Sequence, residues 1–360
     1  MNQEAQPTQD SNAEVPPERL KLVVTASTAG TTFEWYDFFL GVPLAGIIAK
    51  LFFAGLGDTV GYLFALLSFA AGFAFRPLGA LVFGRMGDRL GRKATFLITT
   101  CLMGGATFAI GLLPTVQTIG LWAPALFVFL RILQGMALGG EWGGAAIYIA
   151  EHSPHGRRGE LTSWLGPAAS IGLAAAMVVT LAVRLATGEE AFAEWGWRIP
   201  FLLSGVLFAA SLWIRLRLQE SPVFAALQEG GRRSAAPISE AFGRWSNLRI
   251  AVVALFGIMI AQGAIWFTAF FYTQSFMERM LKAPPKEVDT LMLVALLISV
   301  PLYLFFGWLS DRVGRKPVML SGIVLAVFGI FPVFDGLRTA VHLALAEAVT
   351  ASPVVLQPDA

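Results

Sequence analysis

Nine stretches of this chain run for about 20 residues or more with few charges, long enough to cross a hydrocarbon layer of about 30 Å as helices. They lie near 22–49, 59–83, 95–115, 119–150, 161–186, 198–217, 249–280, 287–309 and 317–335. No other feature restricts the fold so strongly. A segment in lipid must satisfy its own backbone groups, so it is a helix or a strand of a closed barrel. Barrel strands show alternating segments of about ten residues, and this chain has none. The sequence therefore predicts an all-α membrane protein. Of its 360 residues 56% are hydrophobic and 14% charged, against about 45–50% and about 25% in soluble domains. A net charge of +2 gives no reason to expect a nucleic-acid partner. The single cysteine, Cys101, has no companion for an internal disulfide or a metal site.

Residues 1–21 read as a disordered cytoplasmic tail, without the apolar core or cleavage pattern of a secretory signal. With the N-terminus inside, 18 lysines and arginines fall on the cytoplasmic side, Arg76 and Arg215 among them. Seven fall on the other side, and Arg131 is left within the membrane. That asymmetry orients the chain by the positive-inside rule.

The segment GRMGDRLGRK (84–93) recurs as GWLSDRVGRK (307–316), 223 residues further on. Each copy follows the second span of a set. The chain divides on this basis into a six-helix N-terminal half (22–217), a cytoplasmic linker (218–248) holding Arg232, Arg233 and Arg244, and the first three helices of a C-terminal half (249–335). Residues 336–360 form a polar external tail, too short and polar to supply three more spans. In the repeated loop, Gly84 and Gly91 serve positive φ or close helix approach. Asp88 can accept from a helix N-terminus or pair with an arginine. Arg89, Arg92 and Lys93 hold the loop on the cytoplasmic side.

The first span contains TTFEWYDFFLG (31–41), which places Glu34 and Asp37 inside an apolar run. An ionisable group there costs several kcal/mol unless it is paired, so it is a functional candidate. At 1.5 Å per residue, Glu34 and Arg131 each lie about 15 Å from a span end, near the midplane. A Glu34–Arg131 or Asp37–Arg131 pair would relieve the cost. The two acids, three residues apart, sit on neighbouring faces of one helix. Close carboxylates in a shielded place are suited to exchange a proton near neutral pH. Arg131 is equally suited to bind a substrate carboxylate in bidentate fashion.

In the fourth span Arg131, Gln134, Leu138, Glu141 and Trp142 form one stripe, fit to line a cavity, with Glu141 displaced toward a cytoplasmic gate. Gly135, Gly139 and Gly143 form a second stripe, fit for close packing. Trp35 and Tyr36 in the first span, and Gln262, Trp266, Tyr272 and Gln274 in the seventh, are candidate substrate contacts, the aromatic rings offering walls for an apolar or quaternary ammonium group. Glu151, Arg157 and Arg158 follow the fourth span and are candidates to pair with the 84–93 loop.

The pattern G-x-x-x-D-R-x-G-R-K resembles the signature loop of the major facilitator superfamily. RILQGMALGG (131–140) and LQGMALGGEWGGAAIYIAEHSPHGRR (133–158) are similar to the fourth-span signatures of its sugar and metabolite porters. FEWYDF and GGEWGGAAIYIAEHSPHGRRG resemble the metabolite:proton symporter family, which includes proline/betaine, α-ketoglutarate, citrate and shikimate carriers. The likeness covers roughly 20–335. It implies a bacterial inner-membrane symporter with no cofactor, whose partners are the lipid bilayer, protons and a small organic acid or zwitterion. Glu34, Asp37 and Arg131 would carry the coupling, and Arg131, Gln134, Trp35, Tyr36, Gln262 and Trp266 would touch substrate. Asp88, Arg89, Arg92, Glu141, Glu151, Asp311, Arg312 and Arg315 would form the gate. The family has twelve spans, so nine suggest a chain truncated after the ninth. A truncated, non-transporting membrane protein is the alternative. An enzyme is a weaker third reading. There is no P-loop motif, and His152, His155 and His342 lie in loops or the tail without a metal cluster or nucleophile–base pair.

Overall fold

The computed structural model describes residues 16–221, 224, 239 and 242–351, and all regular structure among them is helical. Residues 1–15 of the expected tail lie outside the described residues. So do 222–223, 225–238 and 240–241 of the expected linker, with Arg232 and Arg233, and 352–360 at the end. The chain forms two compact units: Met1–Ile238 with Leu302–Asp311, and Ser239–Pro301 with Arg312–Ala360. Eight described helices are long and apolar enough to cross a membrane. The ninth expected span falls short by composition, because α1 (Pro17–Phe39) carries Glu18, Arg19, Lys21, Glu34 and Asp37.

The first span was expected as one helix over 22–49. Instead α1 ends at Phe39, and α2 (Ala45–Phe52) follows a turn. Pro43 explains the break: it has no N–H, and its ring would clash with the carbonyl four residues earlier. The Val42 N–H turns to the Phe39 carbonyl at 2.9 Å. That leaves the Phe38 carbonyl without its helical donor.

Helices α3 (Asp58–Leu90) and α4 (Arg92–Leu112) meet at one residue, Gly91, whose φ of +101° lies in the left-handed region that glycine adopts freely. The expected 84–93 loop is therefore mostly helix, and Gly84 faces open space inside α3. The same turn returns in the second copy. Gly314, also at φ +101°, separates the helices Pro285–Val313 and Arg315–Ala351. The repeat read from the sequence is thus a repeat of backbone geometry.

The other long helices of the first unit are α5 (Trp122–His152), α6 (Gly166–Thr187) and α7 (Arg198–Leu216). The short helix Arg158–Thr162 leads into α6. Helices α3 and α5 touch backbone to backbone. A Cβ on Gly135 would fall on the Gly72 carbonyl, and one on Gly139 on the Arg76 carbonyl. Gly143, the third member of the expected stripe, faces open space. In the second unit, α8 (Trp245–Glu278) contains π-helical turns at Leu255–Met259 and Thr268–Tyr272. It is followed by α9 (Pro285–Val313), whose end from Leu302 to Asp311 belongs to the first unit, and by α10 (Arg315–Ala351). Residues 336–351, expected as part of a polar tail, continue α10 as helix.

Candidate functional site

Helix α1 delivers Glu34 and Asp37 to the interior of the first unit, and each finds different company. The Glu34 carboxylate accepts from Arg215 Nη2 at 3.0 Å. The other terminal nitrogen of Arg215 donates to Glu141 Oε1. Glu141 Oε2 accepts from the Thr99 hydroxyl of α4 at 2.5 Å. Glu34, Glu141 and Arg215 are 3%, 1% and 2% exposed, so the triad is cut off from water. Gly30 makes it possible: a Cβ there would collide with the Arg215 guanidinium. The Phe96 ring lies 5.4 Å from the same guanidinium.

This corrects the expected Glu34–Arg131 pair, and with it the count of Arg215 among cytoplasmic charges. A lysine or arginine near a span end satisfies the positive-inside rule, which hid its inward direction. The signal was present in the spacing. The buried face of α7 runs through Phe201, Ser204, Ser211 and Arg215. Arg217, two residues on, turns out to the face of Trp213 at 3.7 Å. Arg76, likewise counted on the cytoplasmic side, sits in the middle of α3. Removing both from the cytoplasmic count leaves 16 against 7, so the asymmetry persists.

The second group is built around Arg131, which is 1% exposed. Its Nη1 donates to the Phe38 carbonyl at 3.0 Å and to Gln134 Oε1 at 3.1 Å. Gln134 Nε2 in turn donates to the Thr107 hydroxyl at 2.7 Å. Asp37 lies beside Thr107 and within electrostatic range of Arg131. Its Oδ1 has no hydrogen-bond partner among the described residues, and neither do Arg131 Nε and Nη2. Arg131 therefore caps the broken end of α1, taking the carbonyl left open when the Val42 N–H turns to Phe39. A cation is favoured there by the partial negative charge of a helix C-terminus.

On α5, Arg131, Gln134, Leu138 and Glu141 are buried as expected, while Trp142 is 36% exposed. The Tyr36 hydroxyl donates to the Pro200 carbonyl at 2.9 Å. Trp35 stacks on Phe39 at 5.1 Å. In the second unit Trp266 packs on Phe267, Phe270 and Phe271, and Tyr272 on Phe276 and Phe334. Gln274 donates to Glu278 at 3.0 Å, and Gln262 lies in α8.

The residues expected at a gate separate into caps and surface pairs. Asp311 accepts from the backbone N–H groups of Gly159 and Glu160, both at 2.8 Å, at the start of the Arg158–Thr187 span. The matching N-terminus of α4 is held by a residue the sequence reading did not single out. Glu220 accepts from Arg92 N–H at 2.8 Å and from Lys93 N–H at 3.3 Å. Asp88 instead pairs with Arg92, one turn away, at 3.0 Å and 44% exposed. Glu151 Oε2 has no hydrogen-bond partner among the described residues, and Arg157 pairs with Glu160 at the surface. Arg89, Arg312 and Arg315 are engaged as well. Asp311→Ala is expected to lower the melting temperature of the solubilised protein by the worth of a charged cap, about 1–2 kcal/mol. Asp88→Ala should cost about 0.5 kcal/mol or less, as for an exposed pair. Equal shifts in thermal melts of the two variants would contradict this ranking.

A repeated set of membrane helices with charges sealed between them defines a solute-carrier fold. Residues 25–346 match the model of the Major Facilitator Superfamily, and the chain belongs to that family. It is a multi-pass membrane protein of a transporter family, not of an enzyme family. The shikimate transporter of Escherichia coli is 34% identical over 323 residues, covering 89% of this chain and 73% of that protein. The proline/betaine transporter of Salmonella typhimurium is 34% identical over 332 residues, covering 88% of this chain and 64% of that one. The proton:xylose symporter XylE superposes with a TM-score of 0.66 at 18% identity, over 83% of this chain and 71% of that one, a likeness of fold.

Proposed function

We propose that this chain acts as a proton-coupled symporter of a small organic acid or zwitterionic metabolite, by alternating access, in a bacterial inner membrane with its N-terminus in the cytoplasm. One observation carries the reading: two carboxylates, Glu34 and Glu141, share one guanidinium, Arg215, in a water-free place. The charges do not cancel. A proton on either acid balances them, and its departure leaves a buried negative charge that a dry interior tolerates poorly. A triad of this kind couples proton occupancy to the packing of α1, α5 and α7. Asp37, within electrostatic range of Arg131 and with Oδ1 unpartnered among the described residues, is a second candidate to hold a proton. The names of the relatives, carriers of shikimate and of proline or betaine, support the substrate class. Asp311 and Glu220, each holding the start of a span, fit a cytoplasmic latch together with Asp88, Arg89 and Arg92 of the same unit.

The test is uptake of shikimate and of glycine betaine into proteoliposomes, with and without an inward proton gradient. The gradient is expected to drive accumulation of at least one of them. Glu34→Gln fixes the triad in its neutral form. It should abolish gradient-driven accumulation while leaving solute exchange across the membrane within about threefold of the parent. Uptake that ignores the gradient in the parent, or accumulation intact in Glu34→Gln, would overturn the coupling.

A further inference from the structure

Arg76 stands in the middle of α3 with its guanidinium 5.1 Å from the Trp35 ring and 5.4 Å from the Phe73 ring. It belongs to the helix face that packs inward. Gly72 backs onto α5, Phe73 meets Phe38 at 4.8 Å, and the Arg76 carbonyl lies against Gly139. The outward face carries Phe75, Leu78 and Val82, all exposed. Among the described residues Arg76 has no ion pair and no hydrogen bond, and it is only half-buried. Beside it Trp35 is buried to 7% exposure, and its indole N–H has no acceptor. Two strong donors thus adjoin with nothing to receive them, at a depth where an unpaired cation is costly.

Arg131 and Arg215, also inside the bundle, are sealed from solvent. Arg215 is held between Glu34 and Glu141. Arg131, 1% exposed, is sealed over Phe127; its Nη1 is spent on the Phe38 carbonyl and Gln134, and its unpartnered Nε and Nη2 are buried. Arg76 differs in being only half-buried, with none of its donors spent among the described residues.

We propose that Arg76 and Trp35 form the subsite that receives the carboxylate of the transported solute, a placement that rests on the transport reading above. An ionised carboxylate supplies acceptors only, which is what two unpartnered donors require. Aromatic rings against the face of a guanidinium leave its N–H edge free for a bidentate bond, and they keep water from competing. A carboxamide brings N–H groups of its own against these donors, and a simple amine cation is repelled. A zwitterion fits through its carboxylate end.

Binding can be measured apart from transport. Membranes holding the full chain are treated with phenylglyoxal, which modifies accessible arginines, and the Arg76 peptide is followed by mass spectrometry. The probes are cyclohexanecarboxylate and cyclohexanecarboxamide, alike in shape and unlike in charge. Arg76 is expected to be labelled, and the carboxylate at saturation should slow labelling about tenfold while the amide does not. The carboxylate should also raise the melting temperature of the parent and, less, of Arg76→Lys, but not of Arg76→Gln; the unliganded melts show whether each variant folds. No labelling of Arg76, equal labelling with both probes, or an undiminished carboxylate shift in Arg76→Gln would each overturn the subsite. Protection by the carboxylate without gradient-driven uptake would keep the subsite and remove the transport reading. Gradient-driven uptake that survives Arg76→Gln would do the reverse.

Discussion

Arg215→Gln is expected to remove proton-driven uptake, by about a hundredfold or more, and to leave little folded protein in detergent. The reason is electrostatic. The substitution keeps the two carboxylates of Glu34 and Glu141 together in a dry place and takes away the cation between them. Breaking a buried ion pair by removing one partner costs about 3–5 kcal/mol, a large share of the total stability of a typical domain, about 5–15 kcal/mol. The triple variant Arg215→Met, Glu34→Leu, Glu141→Leu separates folding from function. Replacing a whole buried charge cluster by hydrophobic residues of similar volume is often neutral or stabilising, so the triple variant should recover a melting temperature near that of the parent. It should not recover accumulation against a proton gradient. A triad that stability does not require, and that uptake does, is the signature of a coupling device. Melting curves from size-exclusion-purified protein and proteoliposome uptake read the two effects independently. A normal melting temperature in Arg215→Gln alone would mean that water reaches the triad.

How far the residues themselves announced this site is instructive. The spans were legible because lipid imposes length and polarity on every segment at once. The repeat was legible because a one-residue turn between two long helices needs a left-handed backbone, supplied by Gly91 and again by Gly314. Glu34 and Asp37 stood out because charge is costly in an apolar run. Their partners did not. Counting residues gives depth along a helix axis but not the direction a side chain takes around it. Glu34 and Arg131 therefore matched in depth and yet belong to separate groups. Arg215 and Arg76 passed as cytoplasmic charges because a basic residue toward a span end already has an explanation. Glu220 lies outside any periodic segment, and only the folded chain shows it under the first turn of α4. The break in α1 was hidden for a different reason: proline is common in membrane helices. The Phe38 carbonyl, left open where the Val42 N–H turns to Phe39 ahead of Pro43, becomes meaningful only once Arg131 is seen to take it.

The second large effect concerns distance rather than charge. Gly135→Val is expected to destabilise the first unit by about 3 kcal/mol, the upper end for forcing bulk into a packed interior. Side chains usually yield to added volume by changing rotamer. Here the obstacle is the Gly72 carbonyl, part of a helix backbone, and it has no rotamer to change. Helices α3 and α5 must separate, and the consequences travel along both. Arg76, four residues beyond Gly72, moves relative to Trp35, and Arg131, four residues before Gly135, moves relative to the Phe38 carbonyl. Uptake should therefore fall even in the fraction that stays folded. Gly143→Val is the matched control: same helix, same substitution, two turns further along, with nothing within 4 Å of the added Cβ. It should melt within about 1 kcal/mol of the parent, the difference being helix propensity. Thermal melts of the two variants side by side, normalised by uptake per folded molecule, check both statements. Equal losses would mean that the glycine stripe answers to lipid or to propensity and not to the contact between α3 and α5.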